Sequence, residues 1–202
     1  MPKPSLAVDL RMTQDDTRYL EGILDDAKDL PPKFQFYVAE LTLLRLSQLL
    51  EARIISVASK LVCGASYYDG TPPRMMCNAR SIASAKVQMQ VYGRPKPVNL
   101  KWSKVPSIKK NVVHVLDPAE HFLISLDKHS NFLSDLTGVR NYIAHRNAST
   151  RERYREVIKR HYGAYAKISP GVLLMSEKLM RPALLRRYVV EVRAMIGDAI
   201  KS

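Results

Sequence analysis

Two cysteines, Cys63 and Cys77, stand in 202 residues, and neither belongs to a C-x-x-C pair. The chain therefore offers no disulfide framework, and no four-ligand Cys/His set has the spacing of a zinc site. A reduced, cytoplasmic setting is the expectation. Glycine is scarce too, at 8 positions. Gly64, Gly70 and Gly93 are too scattered to cradle phosphates, and neither a P-loop nor a G-x-S-x-G elbow occurs. No run approaches the ~20 uncharged apolar residues that span a bilayer. The most apolar segment, 34–62, is interrupted by Glu40, Arg45, Glu51 and Arg53. The opening "MPKPSLAVDLRM" lacks the apolar region of a signal peptide. His114, His121 and His129 form no metal motif, because "AEHF" lacks the second His of H-E-x-x-H. No metal, no cofactor and no membrane are expected.

Acidic residues are short in one part of the chain only. Residues 1–60 carry 8 Lys/Arg against 9 Asp/Glu, whereas residues 61–202 carry 24 against 10. The formal net charge of +13 thus belongs to the second part. A charge excess of this kind suits a polyanionic partner, since each neutralised phosphate releases counterions. The apolar fraction of 46% is enough for a real core.

The periodicity is helical. A first helix is expected over 14–30, with Thr13 as N-cap, a stripe of Tyr19, Leu20, Ile23, Leu24 and Ala27, and Pro31-Pro32 as its break. A second, over 32–62, is apolar on most sides and reads as the spine of a bundle. Residues 64–116 read as an irregular Pro/Gly-containing insertion, with a helix over 79–93 and a basic extended segment after it. Trp102 within it reads as cover for a core edge. Asp117 and Pro118 are expected as N-cap and first residue of a helix running to 147. Ser149 and Glu152 match a capping box that opens a further helix, stopped by Gly163. The last helix is expected from 181–182 to 200. The expected fold is mainly α: one domain over 1–202, an antiparallel bundle of about four or five helices.

One stretch departs from plain amphipathicity. "GVRNYIAHRN", 138–147, sets Arg140, Asn141 and His145 among apolar residues late in a helix. Asn141 and His145 are i and i+4 and share a face, and Thr137 extends that polar line by one turn. Arg140 lies about 140° around from His145, within reach of the same face for a long side chain. A histidine exchanges protons near neutral pH, and an arginine fork holds phosphate oxygens bidentately. The combination suits phosphodiester chemistry. Downstream, Arg146, Arg151, Arg153, Arg155, Lys159 and Arg160 make a basic face suited to RNA, with Tyr154 and Tyr162 among them.

"RNYIAH" resembles the R-x4-6-H motif of the HEPN superfamily (higher eukaryotes and prokaryotes nucleotide-binding domains), in which the motif sits late in a helix of an α-helical bundle. A second match to the bare spacing, Arg155 to His161, has Glu156 after the Arg and lies in a highly charged helix. Many prokaryotic members of the superfamily are metal-independent endoribonucleases of toxin–antitoxin or antiphage systems. The resemblance implies that Arg140 and His145 are the catalytic pair and Asn141 the polar residue of the motif. It implies attack by a ribose 2′-OH, leaving a 2′,3′-cyclic phosphate. It implies a homodimer with two motifs in one composite cleft, RNA as substrate and an antitoxin protein as a further partner. Where many relatives place Gly after the His, this chain has Arg146. The competing expectation is a non-catalytic HEPN-like bundle that binds RNA or a partner within a larger complex.

Overall fold

Regular i, i+3, i+4 spacing of apolar residues gives nine α-helices among the described residues, 4–177 and 181–201 of this computed structural model. They are α1 (Ala7–Asp26), α2 (Pro32–Val62), α3 (Ile82–Val91), α4 (Val105–Val112), α5 (His121–Lys128), α6 (Ser130–His145), α7 (Ala148–Tyr162), α8 (Pro170–Met175) and α9 (Leu184–Ile200). No sheet forms among the described residues; Met75 and Leu116 make one isolated antiparallel bridge. The mainly-α expectation holds. No helix among the described residues is long and apolar enough to cross a membrane.

Several boundaries differ from the sequence reading, each for a local reason. Thr13 is not an N-cap. It lies inside α1, wholly buried, and its hydroxyl donates to the Asp9 carbonyl at 2.7 Å. Thr13 and Thr17 occupy the buried stripe with Leu20, Leu24 and Ala27, whereas Tyr19 is exposed. A threonine that returns its hydroxyl to the preceding turn behaves as a buried residue rather than a cap. The helix expected over 118–147 is two helices. Asp117 and Pro118 form a turn: the Ala119 N–H donates to Asp117 Oδ1 at 2.7 Å, and the Glu120 N–H to the Asp117 carbonyl at 2.9 Å. The break follows at His129 (φ −102°, ψ 12°), whose ring is buried against Asp198 at 3.0 Å. Pro106 opens α4 inside the region expected to be extended, because a proline in the first turn gives up no helical hydrogen bond. The capping box of α7 is Asn147 with Thr150, not Ser149 with Glu152. Ser169-Pro170 opens α8, which the sequence reading lacked, and α9 starts at Leu184.

The chain divides into two compact units. The first takes Met1–Gln14, Leu50–Ser130 and Arg193–Ser202. Ile54, Val57 and Leu61 of α2, Met89 of α3, Ile108 of α4, and Phe122 and Leu126 of α5 are buried in it. A buried polar knot ties its loops: the Tyr67 hydroxyl donates to Glu120, Glu120 accepts the Arg74 N–H at 2.6 Å, and the Phe122 N–H donates to Tyr67 at 3.2 Å. Burial, with Glu120 second, pushes the Tyr67 hydroxyl pKa far up. Trp102 is buried here, as its reading as core cover requires.

The second unit takes Asp15–Leu49 and Asn131–Val192. Leu43 and Leu46 of α2, Leu133, Leu136 and Val139 of α6, Val157 and Ile158 of α7, Leu173 and Leu174 of α8, and Leu185 and Val189 of α9 are buried in it. Gly138 lets α6 and α7 approach closely, since a Cβ there would lie 3.0 Å from Val157 Cγ2. Gly171 does the same for α8, where a Cβ would stand 2.8 Å from the Phe36 carbonyl oxygen. The Gly171 N–H donates to Glu40 of α2 at 3.1 Å, and the other oxygen of Glu40 accepts Arg146 at 3.4 Å. Not every apolar side chain of α2 meets the core: Phe34 and Leu41 are exposed.

Candidate functional site

The polar residues of the motif occupy the last two turns of α6, in the second unit. Upstream, Leu133, Leu136 and Val139 anchor the helix in the core. Beyond Val139 the helix emerges: Arg140 and Asn141 are half-buried, and His145 is exposed. The Arg140 Nη1 donates to Asn141 Oδ1 at 2.8 Å, which draws the guanidinium toward the face that Asn141 shares with His145. Among the described residues no hydrogen bond or ion pair engages the His145 ring. Its ring nitrogens are therefore open to an incoming group.

Arg146 ends the helix in the left-handed region, at φ 41°, with its N–H on the Tyr142 carbonyl at 3.0 Å. This is the position at which glycine usually follows a helix. Asn147 then caps α7: its side chain accepts the Thr150 N–H at 2.9 Å, and its own N–H donates to the Thr150 hydroxyl at 3.1 Å. Gly163, at φ 75°, closes α7 as expected.

The six basic residues expected to bind RNA do not form one face. At ~100° per residue, Arg151, Arg155 and Lys159 form one stripe of α7, while Arg153 and Arg160 lie on another side. Arg160 is committed to Asp135 of α6, donating through both Nε (2.9 Å) and Nη2. Asp135 also holds His161 at 3.4 Å. Arg146 pairs with Glu40. Arg155 reaches Glu152 at 3.5 Å, and the Arg151 and Arg153 side chains are exposed with no side-chain hydrogen bond or ion pair among the described residues. The Arg155-to-His161 match to the bare spacing is thus divided between a solvent-facing guanidinium and a structural imidazole.

A groove of about 570 Å³ opens beside the stripe. Tyr154 and Ile158 line its buried side, and Tyr142 and Ile168 are half-buried in its wall. The Tyr142 and Tyr154 rings stack, with centroids 4.5 Å apart at 12°. Arg151, Arg155, Tyr165 and Lys167 form its exposed side. No carboxylate lines it among the described residues. The Tyr154 hydroxyl donates to the Ile168 carbonyl at 3.1 Å, pinning the 163–169 loop, and burial pushes its pKa far up. The Arg155 guanidinium and the Lys159 ammonium each sit 5.0 Å from the Tyr165 ring centroid.

Tyr142, Tyr165 and Lys167 were not among the expected site residues. Tyr142 had a signal, since it stands inside the motif three residues before His145. Tyr165 and Lys167 had none, because only the fold of the 163–169 loop brings them to α7. No group of three or more metal-ligating side chains stands together among the described residues. No family model, curated protein or solved structure matches this chain.

Proposed function

We propose that the chain is a metal-independent endoribonuclease of HEPN type, acting in the cytoplasm as a toxin or antiphage effector. The observation that carries this reading is the placement of Arg140, Asn141 and His145 in the last two turns of α6, a helix whose Tyr142 lines a cationic groove. In the proposed reaction a ribose 2′-OH attacks the adjacent phosphorus. His145 serves as general base toward the 2′-OH or as general acid toward the leaving 5′-oxygen. Arg140 offsets the charge that develops on the phosphorane oxygens, and its bond to Asn141 holds the fork in position. The P–O5′ bond breaks, leaving a 2′,3′-cyclic phosphate and a 5′-hydroxyl. Arg151, Arg155 and Lys159 bind the backbone; Arg146, Arg153 and Arg160 add to the surrounding field. The working form is a homodimer with both motifs in one cleft, held inactive by an antitoxin protein.

The test is chemical. Cellular RNA incubated with the protein in EDTA yields fragments ending in cyclic phosphate. Fragments ending in 3′-hydroxyl and 5′-phosphate would overturn the mechanism. Salt-sensitive RNA binding with no cleavage at any ionic strength would instead establish the second reading, a non-catalytic RNA-binding module. That reading is favoured by the same groove, which requires no reacting group.

A further inference from the structure

The groove beside α7 has a composition that neither the motif nor a generic basic face requires. Its inner wall is apolar and aromatic, through buried Tyr154 and Ile158 and half-buried Tyr142, and its open side carries Arg151, Arg155 and Lys167. A ligand that fills it needs a flat apolar body and more than one negative charge. We infer that this groove is a nucleotide subsite that accepts one unstacked base of a single-stranded RNA, with its flanking phosphates on Arg151 and Lys167. The inference rests on the proposal that RNA is the substrate.

Three physical points carry it. The first is size: about 570 Å³ falls in the ~300–1,000 Å³ class of small-molecule sites, suited to one nucleotide. A base inside a duplex has no free face to offer, so occupation requires an unpaired strand. The second is the platform. Tyr165 remains 49% exposed, yet it is held by Arg155 and Lys159 against its ring and by its hydroxyl on Glu156 at 2.7 Å. A ring already held in place loses little entropy when a base stacks on it. The third is charge. Arg155 reaches Glu152, but among the described residues no carboxylate lines the groove itself, and the Arg151 and Lys167 side chains are left to the ligand's phosphates. Tyr142 belongs both to the groove wall and to the motif helix, three residues before His145, so a strand seated here continues toward the imidazole.

The test uses 2′-O-methyl octaribonucleotides, which bind but lack the attacking hydroxyl, so affinity is read whether or not the protein cleaves RNA. Fluorescence anisotropy with the full chain compares an intact octamer, an octamer abasic at every position, and the octamer annealed to its complement. The intact single strand is expected to bind at least 10-fold tighter than the duplex. Removal of every base is expected to cost roughly 5- to 100-fold, the range for loss of one base–aromatic stack. Tyr165→Ala should abolish that abasic penalty, and Tyr165→Phe should retain it. Lys167→Ala should weaken all single strands alike and flatten the salt dependence. Equal affinity for intact and abasic strands, or an abasic penalty that survives Tyr165→Ala, would overturn the subsite. Failure of the ribonuclease reading looks different: the full binding pattern would persist with natural RNA left uncut.

Discussion

Arg146 occupies the left-handed position directly after His145, where a side chain costs roughly 1–2 kcal/mol relative to glycine. Its compensation is a 3.4 Å ion pair with Glu40. The Glu40 side chain is 14% exposed and also accepts the Gly171 N–H, but the arginine is 63% exposed, so solvent screening leaves the pair worth about 0–1 kcal/mol. Arg146→Gly is therefore expected to leave folding stability unchanged or to raise it in urea denaturation. A loss above about 1 kcal/mol would show that the Glu40 contact holds the motif helix in place. Arg140 poses the complementary case. Arg140→Lys keeps the charge but removes the planar fork and its bond to Asn141. Cleavage is expected to fall by about 10²-fold with folding intact, the usual effect of losing one oriented donor to a developing oxyanion. Activity within a few-fold of wild type would argue that Arg140 serves only as local charge.

Elements carry the next set of consequences. Asn147 and Thr150 cap each other at the start of α7, so Asn147→Ala should cost about 1 kcal/mol, read as a lowered denaturation midpoint. Ser149→Ala, at the position that the sequence alone favoured, should cost almost nothing. Gly171→Ala sets a methyl against the Phe36 backbone and should destabilise by about 1–3 kcal/mol. A neutral result there would mean that α8 shifts without loss. These elements also show what a sequence can disclose. The long helices α2 and α9 and the Gly163 stop were legible because apolar periodicity and a C-terminal glycine are local signals. The α5–α6 break was not, because His129 is fixed by Asp198, 69 residues away. Arg160 reads as a surface cation in sequence, yet Asp135, 25 residues earlier, claims it. At the candidate site, Arg140, Asn141 and His145 were legible as one short string. The groove was not, since Tyr165 and Lys167 reach it only through the folded 163–169 loop.

At the scale of the whole molecule, charge and buried hydroxyls set the response to solution conditions. Burial raises the pKa of Tyr67, Tyr154 and Tyr188, with Glu120 adding to the first, Tyr142 to the second and Asp135 to the third. Because their folded pKa values lie above the unfolded value near 10, the unfolded chain holds fewer protons in strong alkali. Their contribution to stability is complete below about pH 10 and is lost as pH rises from there toward the folded values. In an alkaline titration followed at 295 nm, three tyrosines should ionise only together with the loss of helical signal. Ten tyrosines titrating smoothly in a folded chain would contradict this burial. The excess positive charge of residues 61–202 acts at the same scale, and RNA affinity should fall steeply between low and moderate salt.

The measurement that bears most directly on the central claim is cleavage of mixed cellular RNA in EDTA by wild type and His145→Ala, matched for helicity by circular dichroism. His145 is exposed at the end of α6, so its truncation should leave the fold intact. The account expects cleavage by wild type and at least a 10²-fold loss in the variant. Equal cleavage by both proteins would contradict it, and would place any catalysis outside the Arg140–His145 motif.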